Sequence, residues 1–498
     1  MSSKPETKLN VGLEGKTITD DNIDHFENLA ESFETDPHLE RKVLWKLDLL
    51  LMPLMSLLFL FLFLDRANIG NARVAGLQKA IHATDYQYQL ALMTTYIPYI
   101  LIEFVSNFAL KAIGPRFMLP GLCVLWGLVT TLQCLVQNYT GLVICRFFLG
   151  LCEGGLFPGF ILYLSFFYKR QEMQKRIGCI YGAASLSGAF SGLLAAAIVK
   201  LNGVGGIAGW RYIFLLEGVV TIAFGFLVML VLPNSPSHVL WFKPEEAQFA
   251  TQRLIAEANV KESPRIRMEA VKSTFHEPHV LSMSVIAFCN GLVIAGLSYF
   301  TPSIVQAMGY GPTQTQLLSV PPYACAFVLT MVAAWHADKY GRRGLTALAT
   351  LIFALVGCIL NLCSGSVGTR YTAQCFLVAS IYSTAPSLLT WVPNNTATYG
   401  RRATAVAIVF VTSNSAGVAA MWLYPTKTAP RYLLANKVNL AALCLEMACL
   451  VGQIVLLKRL NKAKKERREE LLRPVAHLTH DEQMEVLGDH HPDFKYVL

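Results

Sequence analysis

Charge is scarce in this chain. Only 15% of its 498 residues are Asp, Glu, Lys or Arg, against 54% apolar, and the mean hydropathy is +0.43. A water-soluble protein of this length covers its surface with far more charge, so the shortage points to a lipid bilayer as the solvent. Cysteine pairing is missing as well. No CxxC occurs among the twelve cysteines, and most of them (Cys123, Cys134, Cys145, Cys152, Cys358, Cys363, Cys444, Cys449) fall inside apolar runs. They read as small core residues, not as a disulfide framework or a zinc site. No cleavable leader is visible: residues 1–40 are polar, and the apolar run beginning near Trp45 is too long for a signal-peptide core. The first span is therefore expected to stay in the mature chain.

Enzyme motifs are lacking too. His276-Glu277-Pro278-His279 has the wrong spacing for a helical zinc pair and contains a helix-breaking proline. His490-His491 lies in a polar tail with no Cys or His partner nearby in the sequence. The reading is not an enzyme, with no cofactor and no metal. The net charge of +9 does not indicate nucleic acid, because the basic residues are spread between apolar runs.

What is present is a series of apolar segments. A spanning helix needs about 20 mostly apolar residues. Twelve such segments lie at 46–70, 87–109, 117–136, 141–167, 175–200, 210–232, 280–303, 315–337, 344–364, 371–393, 403–424 and 436–458. Residues 233–279 hold prolines and mixed charge (Lys243, Glu245, Glu246, Arg253, Glu257, Lys261, Arg265, Arg267) and read as a polar, partly helical linker. The organisation is a tail (1–45), six spans (46–232), a linker (233–279), six spans (280–458) and a second tail (459–498).

Lys and Arg near the span ends set the orientation. One set of loops carries Arg41, Lys42 and Lys46; Lys111 and Arg116; Lys169, Arg170, Lys175 and Arg176; the linker; Lys339, Arg342 and Arg343; Arg401 and Arg402; and Lys458 onward. The opposite set is poorer, and the turns around Asn138 and Gly309 have none. Both tails and the linker are expected in the cytosol. Asn138-Tyr139-Thr140 then matches a glycosylation acceptor on the outer face, in a very short turn. Asn394-Asn395-Thr396 matches the same pattern on the wrong side.

Ionisable residues inside spans cost several kcal/mol and mark cavities or partners. Asp65-Arg66 follows the run Phe59 to Leu64 and precedes the polar stretch Asn68, Gly70, Asn71. The pair either ends the helix at the interface or lines a wet cavity. In the fourth span Arg146 and Glu153 stand two turns apart on one face, roughly 10 Å along the helix. A buried Arg keeps its proton and so needs a carboxylate or an anionic ligand, whereas a buried Glu can neutralise itself by taking a proton. A static ion pair is the alternative. Glu103 and Glu217 could neutralise buried arginines or line the pathway; Glu446 has no evident partner. Gly188 and Gly192 form a GxxxG suited to close helix contact.

Ala334-Trp335-His336-Ala337-Asp338-Lys339-Tyr340-Gly341-Arg342-Arg343 resembles the loop signature of the major facilitator superfamily, between spans eight and nine. Its first-half counterpart, Asn107 through Arg116, lacks the aspartate. This resemblance implies an all-α integral membrane fold of twelve transmembrane helices in two six-helix bundles, with alternating access and with Asp338, Arg342 and Arg343 in gating. Leu64-Asp65-Arg66 with Asn68-Ile69-Gly70-Asn71-Ala72, Glu103, the Arg146–Glu153 run, Gly209-Trp210-Arg211, Trp391 with Asn394-Asn395, and the final Asp493 to Leu498 resemble the anion:cation symporter family, in its fungal allantoate and nicotinate permease-like branch. The resemblance implies Asp65 and Glu153 as protonatable carboxylates and Arg66 and Arg146 as anion-handling arginines. Asn394 or Asn395 would be a polar binding position, with Glu103 and Asn68 in support. It also moves Asp65 and Arg66 from the interface to mid-membrane.

The expected function is proton-coupled uptake of a small organic anion, such as a nicotinate-, pantothenate- or allantoate-type carboxylate, by a monomer in the plasma membrane. Export of a self-made metabolite and nutrient sensing on a transporter scaffold are the alternatives. Tyr96, Tyr99, Tyr163, Tyr181 or Trp391 could stack on a substrate ring.

Overall fold

The protein is seen here in a computed structural model that describes residues 36–261, 272–397, 399–478 and 480–498. The polar start of the chain and the linker residues Arg265 and Arg267 lie outside these. Helices and turns account for the described residues, with no strand among them. Ten helices are long and apolar enough to cross a membrane. Two further crossings complete twelve: Asp85–Ile113, and a fourth span made of two pieces, Tyr139–Glu153 and Leu156–Ser165.

The first span, Pro37–Val74, shows how sequence builds these helices. Asp36 caps it by accepting from the His38 amide at 2.9 Å, and Pro37 opens the first turn, where no N–H is needed. Leu47, Leu51, Leu58 and Leu62 pack inward while Leu49 and Leu57 face outward. A helix apolar on all sides suits a segment with protein on one face and lipid on the other.

The fourth span departs from the continuous 141–167 helix read from hydropathy. The helical pattern stops at Glu153 and resumes at Leu156. Gly154 and Gly155 intervene, and position 158 is a proline without the N–H that would bond back to the Gly154 carbonyl. Gly154 also lies so close to the Tyr99 carbonyl of the second span that a Cβ could not fit.

The remaining spans are Pro115–Leu132, Arg170–Ile198, Gly209–Val231, Pro278–Gln306, Val320–Tyr340 preceded by the short Pro312–Leu318, Arg343–Cys363, Val367–Asn394, Tyr399–Ala420 and Leu433–Glu466. Between the halves runs a helix, Pro244–Lys261. It is tied to the first half by ions: Lys42 and Lys46 meet Glu246 at 3.0 and 2.6 Å, and Arg253 meets Glu172 at 2.8 Å. Burial alone would raise the Glu246 carboxyl; the Lys46 hydrogen bond, the Lys243 amide and Lys42 outweigh it and hold the group at about 2.

The halves are joined by polar contacts at the end away from the tails. There Asp85 accepts from the Thr426 amide and hydroxyl at 2.8 and 2.7 Å and pairs with Arg73 at 3.1 Å. Tyr86 packs on Trp422, and Gln316 donates to the Asn71 carbonyl. Gly70 lies against the Tyr299 carbonyl with no room for a Cβ. The GxxxG glycines also serve the contact between halves: Gly188 faces the Tyr323 ring and Gly192 the Gln316 carbonyl.

Candidate functional site

The midpoint of the bundle holds a cavity that is partly continuous with solvent. Arg66, Phe63, Tyr96 and Tyr181 come from the first half; Asn290, Ser298, Tyr299, Ser413 and Asn414 come from the second. Its mixture of rings with a few polar groups suits a small molecule.

Asp65 is 3% exposed and lies well inside its helix, about 14 Å of helical rise before Val74. It is therefore an interior residue, not the end of the helix. Its Oδ2 accepts the Thr130 hydroxyl of the third span at 2.6 Å. The next residue, Arg66, points into the cavity between the rings of Phe63 and Tyr99, at 5.2 and 4.9 Å. Its Nε stands 3.5 Å from Glu153 Oε2. The pairing thus crosses between the first and fourth spans and does not run along the fourth from Arg146 to Glu153. The sequence spacing places those two on one side of a helix but says nothing of which residue another helix brings closer.

Arg146 is fully buried, and none of its three guanidinium nitrogens has a hydrogen-bond partner among the described residues. Its charge lies within electrostatic reach of Asp65 and Glu153, and of the Tyr88 and Tyr299 rings. A desolvated guanidinium needs compensation by carboxylates or by an anion. Asn68, expected in support, donates to Glu217 of the sixth span.

Several other expected residues stand elsewhere. Asn395 is away from the cavity. Its amide donates to the Val497 carbonyl at 3.2 Å and accepts the Val497 amide at 2.8 Å. Trp391 donates to that same carbonyl at 2.7 Å, and Asn461 clasps the backbone of Tyr496 on both sides. The end of the chain folds back onto the seventh, tenth and twelfth spans, and this long-range return occupies the two side chains. Asn394 is the last helical residue of its span. Tyr163 is likewise buried away from the cavity and donates to the Pro233 carbonyl. Of the five aromatics considered, Tyr96 and Tyr181 line the cavity and Tyr99 stacks on Arg66.

The same return corrects the reading of the tail histidines. His491 is fully buried and its ring lies 5.1 Å from His480, so it does have a histidine neighbour. His490 meets Glu277 at 3.1 Å. Asn138 caps the fourth span, its side-chain oxygen accepting from Gly141 at 2.9 Å. Of the gating residues, Arg342 is exposed in the turn and Arg343 opens the ninth span in a buried position. The side chain of Asp338 lies outside the described ones.

Sequence reasoning missed the second-half wall of the cavity, Asn290, Ser298, Tyr299, Ser413 and Asn414. All sit in spans whose polar residues were not singled out. A lone Asn inside an apolar run was the signal available for Asn290.

The sequence model of the Major Facilitator Superfamily matches residues 55–421. The chain belongs to the Major Facilitator Superfamily. It is 33% identical to an uncharacterized transporter of Schizosaccharomyces pombe over 89% of this chain and 92% of that protein. It is 30% identical to the high-affinity nicotinic acid transporter of Saccharomyces cerevisiae over 92% and 85%. Among solved structures, the xylose transporter XylE from E. coli, in a partially occluded inward open conformation, aligns with a TM-score of 0.61 at 16% identity over 79% of this chain and 95% of that one. A bacterial homologue of the human lysosomal transporter Spinster, inward-facing and occupied, aligns with the same score at 13% identity over 85% and 97%. As a Major Facilitator Superfamily member the protein is a multi-pass membrane transporter of small molecules and not an enzyme, with twelve transmembrane helices in two six-helix bundles.

Proposed function

We propose that this transporter couples uptake of a small organic anion to protons. The observation that carries the reading is Arg146: a fully buried cation whose guanidinium makes no hydrogen bond among the described residues, beside Asp65 and near the Arg66–Glu153 pair. Two arginines and two carboxylates nearly balance, so protonating Asp65 or Glu153 leaves positive charge for an incoming carboxylate. Loss of the proton restores the internal pairing and expels the anion. The nicotinic acid transporter among the relatives supports a carboxylate cargo.

With both tails and the linker in the cytosol, the orientation read from the Lys and Arg distribution, the end joined by Asp85, Arg73 and Thr426 is the outer one. A monomer in the plasma membrane is sufficient, since the cavity is completed within one chain. Asp338, Arg342 and Arg343 act at the inner gate, and residues 46–232 and 280–458 move as the two rocking bundles about the linker 233–279.

The test is uptake into liposomes holding purified protein, with the interior alkaline, across nicotinate, pantothenate, allantoate, dipeptides and hydroxylated aromatic acids. Accumulation of at least one carboxylate, with acidification of the interior, is expected. If the gradient concentrates none of them, the proposal fails.

A further inference from the structure

Two asparagines on the second-half wall of the cavity are held in the same way. Asn290 of the seventh span donates its Nδ2 to Oε1 of Glu446 in the twelfth, at 3.0 Å. Asn414 of the eleventh span donates its Nδ2 to Oε2 of Glu103 in the second, at 3.3 Å. Both glutamates are buried, Glu446 completely. In each bond the carboxyl oxygen accepts, so the amide NH2 is turned toward it. The carbonyl oxygen is left on the other side.

That other side is the cavity, which both asparagines line. Neither Oδ1 is among the buried atoms that lack a partner, so both border open space. Asn68 gives the contrast. It makes the same bond to Glu217, yet its Oδ1 is sealed and partnerless, and it lines no part of the cavity. The arrangement is a structural tie in one place and a ligand-facing surface in the other two.

Arg66 lines the same cavity. We infer that the site takes a carboxylate whose far end carries N–H or O–H donors, with Asn290 and Asn414 accepting from those donors and Glu446 and Glu103 acting as positioning residues that keep the two oxygens turned inward. A free asparagine amide would rotate and offer donor or acceptor alike. The glutamate oxygens behind hold the NH2 side, and a ligand end with neither N–H nor O–H then leaves two desolvated oxygens unmet. The inference rests on the proposed anion site at Arg66 and deepens it.

Two nearly isosteric pairs test it. N-carbamoylglycine differs from 4-oxopentanoate by NH2 and NH in place of CH3 and CH2, and 4-hydroxybenzoate differs from 4-methylbenzoate by OH in place of CH3. Affinity for the purified full-length protein is measured by calorimetry for each member. The donor-bearing member of at least one pair should bind about tenfold more tightly. Glu446→Leu and Glu103→Leu should shrink that ratio toward one. Glu446→Gln and Glu103→Gln, which keep nearly the same volume but can donate as well as accept, should restore only part of it.

Binding of carboxylates with no preference within either pair overturns the acceptor wall and leaves the anion site standing. A preference untouched by both leucine variants overturns the positioning role. Absence of binding by every carboxylate removes the anion site and this inference together.

Discussion

The first six spans bury Asp65, Arg66, Arg146, Glu153 and Glu217 around their midpoint, while the last six offer the cavity Asn290, Ser298, Tyr299, Ser413 and Asn414, backed by Glu446. The two halves share a helical plan but divide the labour. The first holds nearly balanced charges whose pairing a proton can alter; the second presents a neutral wall with fixed hydrogen-bonding sense. Coupling and recognition are thereby separated onto two bodies that move against each other. A ligand spanning them would join the halves only when both its ends are satisfied.

Breaking the charged half should have the largest effects. Arg146→Gln removes the buried cation beside Asp65 and leaves one of the two carboxylates uncompensated. Uptake by reconstituted protein should fall by ~100-fold or more, while an equally buried neutral change in the other half, such as Ser298→Ala, should cost only a few-fold. Near-equal losses would erase the distinction between the halves. Next comes Glu153→Gln, expected to lower uptake by about tenfold and to flatten its dependence on external pH. An unchanged pH profile would take Glu153 out of the proton path.

A smaller effect is expected where the halves touch. A methyl group at position 70 cannot coexist with the Tyr299 carbonyl, so Gly70→Ala should shift the population away from the closed far end. The shift would appear as a several-fold faster modification of a cysteine introduced at Tyr96. Smaller again is the tail. Deleting residues 494–498 removes the bonds to Trp391, Asn395 and Asn461 and should lower the midpoint of thermal unfolding by about 3 °C, with Asn395→Leu reproducing part of that loss.

The linker contact should show as a change with pH. Glu246 is held at about 2, below its ordinary 4.5. Its contribution to stability is therefore complete above about 4.5 and disappears as pH falls through 2. Glu246→Gln should destabilise the protein at neutral pH by an amount that shrinks steadily as pH falls from about 4.5 through 2; a difference that stays constant over that range would assign the contact to packing rather than charge.

The helical plan and the ionisable residues were legible because both are local properties. Apolar runs announce spans, and a charge inside one is conspicuous wherever the span finally stands. Legible in principle, but passed over, was the break in the fourth span, since Gly154-Gly155 followed by a proline is a local signal. The partners were not legible. Spacing along one helix suggested Arg146 with Glu153, and the fold set Arg66 against Glu153 instead. Asn395 looked like a binding residue until the chain end, about a hundred positions later, proved to occupy it.

By itself, then, the sequence determined that this chain crosses a membrane with twelve helices and carries acids and bases inside them, because periodicity and burial cost are written residue by residue. Only the tertiary structure decided which acid meets which base, which asparagines face the cavity, and that the two halves play different parts. Those facts depend on the rotation and crossing of helices far apart in the chain, which no local pattern encodes.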